Sequence, residues 1–208
     1  MRRAKEDMLQ TRQIILKSAF KKFYEQGYES TTLADIVEDV GLTRGAVYWH
    51  FKNKEALFRA VVDWSLERAD LVQIAKTIPQ NLPLEDYILE ILYIGIHGNK
   101  YIDFVYKMIV FVASHPEFKD VLFKIREMKL GVKRAMEAYI ARYMQVHHIT
   151  GKDANTYASP LFLIWEGMFL CKYIKVDIPL QREHMKMLIH HILRDIEVEG
   201  TGSAMQNA

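Results

Sequence analysis

Apolar residues recur at spacings of three and four along nearly the whole of this 208-residue chain. That period predicts helices, and no alternating apolar and polar stretch long enough for a strand occurs. The pattern gives about nine helices, which cover roughly residues 11–26, 32–40, 44–50, 53–78, 84–97, 101–114, 116–146, 153–173 and a last helix that follows Pro179 and ends near Glu197. The sequence therefore predicts an all-α protein.

Three stretches of the chain are less regular than the rest. Residues 1–10 are either a frayed basic arm or an extension of the first helix. No breaker interrupts residues 53–78, so we expect one long helix there. Pro160 is expected to kink or restart the first turns of its helix, because proline has no amide proton and crowds the preceding turn.

Residues 31–54 contain two short helices around a glycine turn. Thr32 and Asp35 have the spacing of a capping box, in which a hydroxyl and a carboxylate satisfy the free amides of a first turn. Gly41 can adopt the left-handed conformation that ends a helix, and Thr43 can cap the helix that follows. A helix, a glycine turn and a second helix are typical of a helix-turn-helix, whose second helix enters the major groove of DNA.

The second short helix has large side chains that it cannot bury. Val47 and Phe51 are four residues apart and can occupy the face toward the core. The side chains left pointing outward are Arg44, Gly45, Tyr48, Trp49 and His50. No acidic residue occurs between Val40 and Lys54. Exposed aromatics with polar tips beside cations suit a groove lined by phosphates.

The leading edge of this helix is small, since Gly45 is followed by Ala46. A thin edge allows the backbone to approach the edges of bases. The alternative is an αα-hairpin in another kind of helical protein, with Tyr48 and Trp49 filling a core. The basic, acid-free composition favours the DNA-reading interpretation.

Residues 11 to 58 resemble the N-terminal DNA-binding domain of the TetR family of bacterial transcriptional repressors. The matching positions are Thr11-Arg12, Ile15-Leu16, Ala19, Phe23, Gly27-Tyr28, Thr31-Thr32, Ile36, Val40-Gly41, Thr43, Gly45, Tyr48, Phe51, Lys54 and Leu57. The run from 43 to 52 is similar in particular to the AcrR-like repressors of multidrug efflux pumps. The rest of the chain matches only in length and in its all-helical pattern.

The resemblance implies a three-helix DNA-binding head, residues 1–59, on a larger helical body for ligand binding and dimerisation, residues 60–199. Residues 200–208 are expected to be a disordered tail. It also implies a homodimer on a pseudo-palindromic operator in double-stranded DNA, released by a small hydrophobic effector. The residues carried over as DNA contacts are Thr32, Tyr48, Trp49, His50 and Lys54, mainly for phosphates, and Thr43, Arg44, Gly45 and Ala46, near bases.

Composition and charge change this picture only slightly. The net charge is +2, but residues 1–59 hold 11 Lys and Arg against 8 Asp and Glu. A mildly basic N-terminal third is compatible with a nucleic-acid-binding head. The single cysteine, Cys171, excludes an internal disulfide and suits a reducing compartment. No signal segment or apolar run long enough for a bilayer occurs, so we expect a soluble, cytoplasmic protein without a membrane partner.

Large apolar and aromatic residues in the helical body mark where we expect an effector to bind. The candidate ligand residues are Trp64, His97, Phe104, Met108, Phe111, Trp165, Glu166 and Phe169. Glu166 stands out because residues 154–171 carry no other charge. It can balance a cationic ligand, a substrate class that the AcrR-like resemblance implies. The alternatives are a partner Lys or Arg, or an exposed helix face.

The last helix has an apolar stripe, which in a terminal helix more often docks onto its own core. The resemblance implies instead a four-helix bundle formed by the last two long helices of each subunit. The candidate dimer residues are therefore Trp165, Met185, Leu188, Ile192 and Ile196.

No enzymatic constellation is present in the sequence. It contains no glycine-rich phosphate loop, no nucleophile elbow and no paired carboxylates within an apolar run. His184 and His191 share a helix face and suggest part of a zinc site, but solvated histidines explain them more simply. We expect no metal and no cofactor. Two other classes stay open: a helical ligand-binding or structural protein that binds no DNA, and a helical enzyme of unfamiliar type.

Overall fold

The computed structural model describes residues 2–96, 99–176 and 181–196, and no strand occurs within them. The helices are α1 (Arg2–Gln26), α2 (Leu33–Val40), α3 (Arg44–His50), α4 (Lys54–Arg68), α5 (Leu71–Lys76), α6 (Leu84–Ile96), α7 (Lys100–Ser114), α8 (Lys119–Val146), α9 (Ala154–Tyr173) and α10 (Arg182–Leu193), with a 3-10 turn, Pro116–Phe118, before α8. The prediction of an all-α protein is confirmed.

The helix ends around the glycine turn form as their sequence predicts. Thr32 accepts the amide of Asp35 at 3.2 Å, and its own amide donates to the Asp35 carboxylate at 2.7 Å. Gly41 ends α2 with a φ of 65°, a left-handed value that favours glycine. Thr43 and Asn53 cap α3 and α4 by accepting the amide three residues later, at 3.2 and 2.8 Å.

The prediction of one long helix over residues 53–78 is wrong, because the chain forms two helices there. Helix α4 ends at Arg68, and α5 begins at Leu71. Asp70 accepts the amide of Gln73 at 3.0 Å, which is the contact of an N-cap. An aspartate before Leu71 was therefore a start signal, although neither glycine nor proline marks the break.

Two other helices are continuous where the sequence left a frayed start or a break possible. Helix α1 begins at Arg2, so residues 2–10 extend the first helix. Helix α9 runs through Pro160 without restarting. His97, Pro179, Glu197 and the expected tail, 200–208, lie outside the described residues.

The chain divides into two compact units. The first unit consists of residues 1–69 and 99–125, and the second consists of residues 70–98 and 126–208. In the first unit α4 packs against α1 and α7, so α7 belongs with the helix-turn-helix. In the second unit α6, α9 and α10 pack against one another. The boundary that the sequence suggested at residue 59 falls inside α4.

Each unit has its own buried apolar core. The fully buried side chains of the first unit include Ile15, Phe23, Ile36, Leu57, Phe58 and Phe104, and those of the second include Ile88, Leu92, Met136, Ile140, Trp165 and Ile189. Among the described residues, no helix is both long enough and apolar enough to cross a bilayer.

Candidate nucleic-acid interface

Helices α1 and α2 provide the support on which α3 rests. Ser18 on α1 is buried and donates from its hydroxyl to the Asp39 carboxylate at 2.6 Å. Ile36 on α2 is fully buried. A buried hydroxyl paired to a carboxylate fixes the two helices in one register, because breaking it leaves a polar group unsatisfied.

Helix α3 divides into a buried face and an exposed face. Val47 and Phe51 are buried, as the spacing predicts, whereas Tyr48 is 49 % exposed and Trp49 is 68 % exposed. Trp49 stands perpendicular to His50, with their ring centres 4.7 Å apart. Tyr48 and Trp49 therefore do not fill a core of this chain, which disfavours the alternative of an ordinary αα-hairpin.

The first turn of α3 carries a positive charge that does not stabilise the helix. Arg44 is exposed in the first turn, where the helix dipole is positive, and that turn contains no acidic residue. A cation at this end of a helix gains nothing from its own helix. A phosphate or a base acceptor at this position would compensate for the unfavourable interaction with the dipole.

Gly45 is not required by the packing of the chain. A Cβ atom added there would meet nothing closer than the Thr43 hydroxyl oxygen, at 4.0 Å. The residue is exposed, as is Thr43, and Ala46 lies beside it. The missing side chain therefore leaves free space on the exposed side of the helix.

Arg12 lies beside the end of α3, a position that sequence reasoning missed. Its guanidinium carbon is 5.3 Å from the centre of the Phe51 ring. Burial, and then the charge of Arg12, lower the pKa of His50 below its usual value. Arg12 is exposed and adds a cation to this surface. The Thr11-Arg12 pair was visible in the sequence, but its proximity to α3 depends on how α1 packs.

Two of the predicted phosphate contacts already have partners within the chain. The Lys54 ammonium donates to the carbonyl oxygens of Tyr28 at 3.1 Å and Glu29 at 3.4 Å. Both the amide and the hydroxyl of Thr32 donate to Asp35, at 2.7 and 2.8 Å. These two hydrogen bonds lower the pKa of Asp35, the backbone one most. Lys54 and Thr32 therefore stabilise the helix-turn-helix itself.

The predicted ligand residues divide between the two units. In the first unit Trp64, Phe104 and Met108 are buried, and Phe111 packs against the rings of Tyr28 and His115. In the second unit Trp165 and Phe169 are buried, with ring centres 4.8 Å apart. His97 lies outside the described residues.

Glu166 has a cationic partner on α8. Its carboxylate lies 2.5 Å from the Lys129 ammonium, and both side chains are largely buried. The simpler of the sequence alternatives, a lysine or arginine partner, is therefore present. A carboxylate neutralised in this way attracts a cationic ligand less than a lone one would.

Three of the predicted dimer residues are buried in the core of the second unit: Trp165, Met185 and Ile196. Their side chains pack within their own unit and present almost no surface to a second subunit. Leu188 is exposed and Ile192 is half-buried. The large exposed apolar residues on α9, on α10 and just after α9 are Leu163, Leu170, Tyr173, Ile174, Val176, Met187 and Leu188.

The second unit also has an open groove of about 560 Å³ between α8 and the loop before α9. Its lining includes Arg134, Met144 and Ile149 but none of the predicted ligand residues. His184 and His191 are exposed on α10. Among the described residues, no three His, Cys, Asp or Glu side chains converge on a point that could hold a metal ion.

Comparisons with known proteins place this geometry in a family. The family profile described as "Bacterial regulatory proteins, tetR family" matches residues 15–61, which contain α2 and α3. The HTH-type transcriptional regulator TtgR of Pseudomonas putida is 31% identical over 175 residues, 81% of this chain and 82% of that protein. The HTH-type transcriptional regulator AcrR of Shigella flexneri is 41% identical over 73 residues, 35% of this chain and 33% of that protein.

A solved structure shows the same fold along nearly the whole chain. The TetR-family transcriptional regulator of Cytophaga hutchinsonii has a TM-score of 0.68 and 20% identity, and the match covers 93% of this chain and 98% of that one. Because the exposed face of α3 lies within the profile match and the TtgR match spans most of both proteins, this chain belongs to the TetR family of bacterial regulatory proteins, with AcrR-like relatives, and is a DNA-binding transcriptional regulator rather than an enzyme.

Proposed function

We propose that this protein is a ligand-responsive repressor that binds a pseudo-palindromic operator as a homodimer. The observation that carries the proposal is the exposed face of α3, where Arg44, Tyr48 and Trp49 project from a segment without acidic residues. The proposed contacts are Thr43, Arg44, Gly45 and Ala46 near bases, and Tyr48, Trp49, His50 and Arg12 near phosphates. Two such helices would occupy major grooves about 34 Å apart.

Dimerisation is proposed through the outward faces of α9 and α10. Leu163, Gly167, Leu170 and Ile174 are exposed along α9 and its C-terminal end at spacings of four, three and four, the spacing of a coiled-coil seam. An added Cβ at Gly167 would meet no atom within 4 Å, so that position allows another helix to approach closely. An exposed apolar stripe of this length is unfavourable in water and is typical of an interface.

The outward face of α10 continues this surface with Met187 and Leu188. Another row of the same helix is already engaged with α6, since Lys186 pairs with Asp86 and His190 with Glu85, both at 2.7 Å. The row away from α6 and from the core is therefore the one available to pair. We propose an isologous bundle of two helices from each subunit.

The effector is proposed to be a small hydrophobic molecule that contacts Trp64. This side chain is buried, with its ring centre 5.7 Å from Phe20 and 5.1 Å from Tyr101. Its indole N–H has no acceptor among the described residues. Buried indole N–H groups usually have a partner, so a ligand with an acceptor oxygen would gain a hydrogen bond there.

The regulated gene is proposed to encode an efflux pump. This part rests on the AcrR-like run at 43–52 and on the similarity to AcrR itself. Because such pumps export varied hydrophobic compounds, a pump substrate would serve as the effector. The test is whether deletion of the chain's gene raises transcription of a neighbouring pump operon, and unchanged transcription would contradict the assignment.

DNA binding is tested by selecting duplexes from a random library with the full-length protein. We expect an enriched site with two inverted half-sites, and binding that weakens steeply with salt. The same protein should sediment as a dimer. Failure to enrich any duplex, with tight binding of hydrophobic dyes retained, would favour the alternative of a helical ligand-binding protein without DNA binding.

Release by an effector is tested with the selected duplex and a panel of dyes. Ethidium and rhodamine are cationic, and Nile red is neutral. We expect at least one dye to loosen the complex, and we expect Trp64→Phe to weaken the effect of that dye. If Trp165→Phe weakens it and Trp64→Phe does not, the effector lies at Trp165 in the second unit. Glu166→Gln should affect cationic and neutral dyes alike if Lys129 neutralises Glu166, and a selective loss of the cationic dyes would identify Glu166 as a ligand contact.

A further inference from the structure

Lys54 occupies a position where its own helix disfavours a cation. It is the first residue of α4, directly after the Asn53 cap, so its ammonium lies near the positive end of the helix dipole. Three contacts compensate for this. The ammonium donates to the carbonyl oxygens of Tyr28 and Glu29, and it lies 4.2 Å from the centre of the Tyr28 ring.

The acceptors belong to the turn that leads into α2. Tyr28 also accepts the amide of Thr31 at 3.3 Å, and the Thr31 hydroxyl donates to the Gly27 carbonyl at 2.8 Å. Thr31 is buried, and the next residue caps α2. Lys54 itself follows α3 by only a few residues. Its ammonium therefore joins the segment before α2 to the segment after α3.

We propose that Lys54 is a positioning residue, which closes the helix-turn-helix at its two ends and fixes the orientation of α3, rather than a phosphate contact. The proposal rests on DNA binding as the function of the chain. It assigns Tyr28 as the platform, because the carbonyl and the ring of that one residue both hold the ammonium.

The same platform is packed by helices outside the helix-turn-helix. The Tyr28 ring centre lies 4.8 Å from Phe58, 4.9 Å from Phe111 and 5.3 Å from Phe118. The neighbouring Glu29 carboxylate lies 3.9 Å from the His115 ring nitrogen. A shift of α7 or of the 3-10 turn would therefore move the Tyr28 carbonyl and weaken the closure by Lys54.

The salt dependence of DNA binding separates a positioning role from a phosphate contact. The probe is a duplex selected from a random library by the wild-type protein. Lys54→Met should weaken binding by about tenfold while the slope of log affinity against log salt stays unchanged. Lys54→Arg, which keeps the charge and the donors, should restore affinity. If Lys54 contacts phosphate, the slope should fall by about 0.9 for each subunit, or about 1.8 for the dimer, and a fall of that size would overturn the proposal.

The exposed Lys52 on the same surface offers a matched control. Lys52→Met removes an equal charge from a side chain that does not join the two segments. In hydrogen–deuterium exchange of the free, full-length protein, Lys54→Met should speed exchange at the Thr31 amide and through α2, and Lys52→Met should not. Unchanged exchange in Lys54→Met would overturn the proposal even if DNA binding falls.

A second pair of variants acts on the platform. Tyr28→Phe keeps the ring and the carbonyl and should retain both DNA affinity and slow exchange. Tyr28→Leu keeps the carbonyl but removes the ring beneath the ammonium, so it should reproduce part of the effect of Lys54→Met. Exchange in the second unit, which should stay at the wild-type rate, controls for unfolding. If the wild-type protein binds no duplex, the proposed function fails, while the exchange measurements still decide the role of Lys54.

Discussion

Helices α3 and α9 both expose large side chains, and the two surfaces differ in what surrounds those side chains. On α3, Tyr48 and Trp49 carry a hydroxyl and an N–H at their tips and stand near Arg44 and Lys52. On α9, Leu163 is 68 % exposed and Leu170 is 57 % exposed, with no polar tip on either. The degree of exposure is similar, but of these side chains only those on α3 can donate hydrogen bonds.

The difference indicates two kinds of partner. Amphipathic aromatics beside cations remain acceptable in water and gain when an anion approaches. Aliphatic side chains at coiled-coil spacing gain only by leaving water, at about 25 cal/mol per Å². The proposed partner of the α3 surface is accordingly DNA, and the proposed partner of the α9 surface is a second copy of the chain. Substitutions on one surface, measured against both partners, test this assignment.

The largest effect is expected from Leu170→Glu. The substitution places two carboxylates in the proposed seam and should weaken the dimer by about 3 kcal/mol or more, roughly 100-fold. Sedimentation at micromolar protein should show monomers, and specific DNA binding should fall with them. Leu130→Glu changes another exposed leucine, on α8, and should leave the dimer intact. A dimer that survives Leu170→Glu would remove the α9 surface from the interface.

Arg44→Ala should have the next largest effect, confined to the DNA surface. Loss of a base contact costs about 1–3 kcal/mol and relaxes the preference at one position of each half-site. Competition between the selected duplex and single-base variants measures this, while sedimentation should be unchanged. An equal loss on every sequence would instead make Arg44 a phosphate contact.

Gly45→Ala should separate folding from binding. An added methyl group meets no atom within 4 Å except the Thr43 hydroxyl oxygen, and alanine favours a helix over glycine by up to about 1 kcal/mol. The free energy of unfolding should therefore rise slightly. DNA affinity should fall by a similar amount, because the methyl group occupies the space toward the bases. Urea unfolding measures the free energy of unfolding, and DNA titration measures the affinity. Tighter DNA binding by Gly45→Ala would contradict a close approach of the helix to the bases.

The smallest effect is expected from pH at His50. Burial and the charge of Arg12 lower its pKa, so the folded free protein binds fewer protons there than the unfolded chain. Stability is therefore lost as pH falls below the ordinary histidine value of about 6.5. A nearby phosphate would raise the pKa again, so DNA affinity should increase on acidification, by less than about tenfold.

His50→Gln provides the control for the other histidines. The variant should lose this part of the pH dependence in both the urea and the DNA titrations. If its affinity changes with pH in the same way as the wild type, His50 does not face phosphate.

The tertiary structure supplies contacts that the local pattern did not show. Lys54 was predicted to contact phosphate, and the structure places its ammonium within hydrogen-bond reach of the Tyr28 carbonyl oxygen. Glu166 looked like a partner for a cation, but α8 places Lys129 beside it. Met185 looked available to a second subunit, but it is buried in its own unit. Each outcome depends on residues far away in the chain.

The sequence by itself determined most of the helices, their caps at Thr32, Thr43 and Asn53, and the outward face of α3. These features depend on groups three or four residues apart, a distance that helical geometry fixes in advance. Only the tertiary structure decided the partner of Lys54, the proximity of Arg12 to α3 and the faces of α9 and α10 that stay exposed. Such contacts join residues separated by tens of positions, and spacing along the chain does not specify which helices pack together.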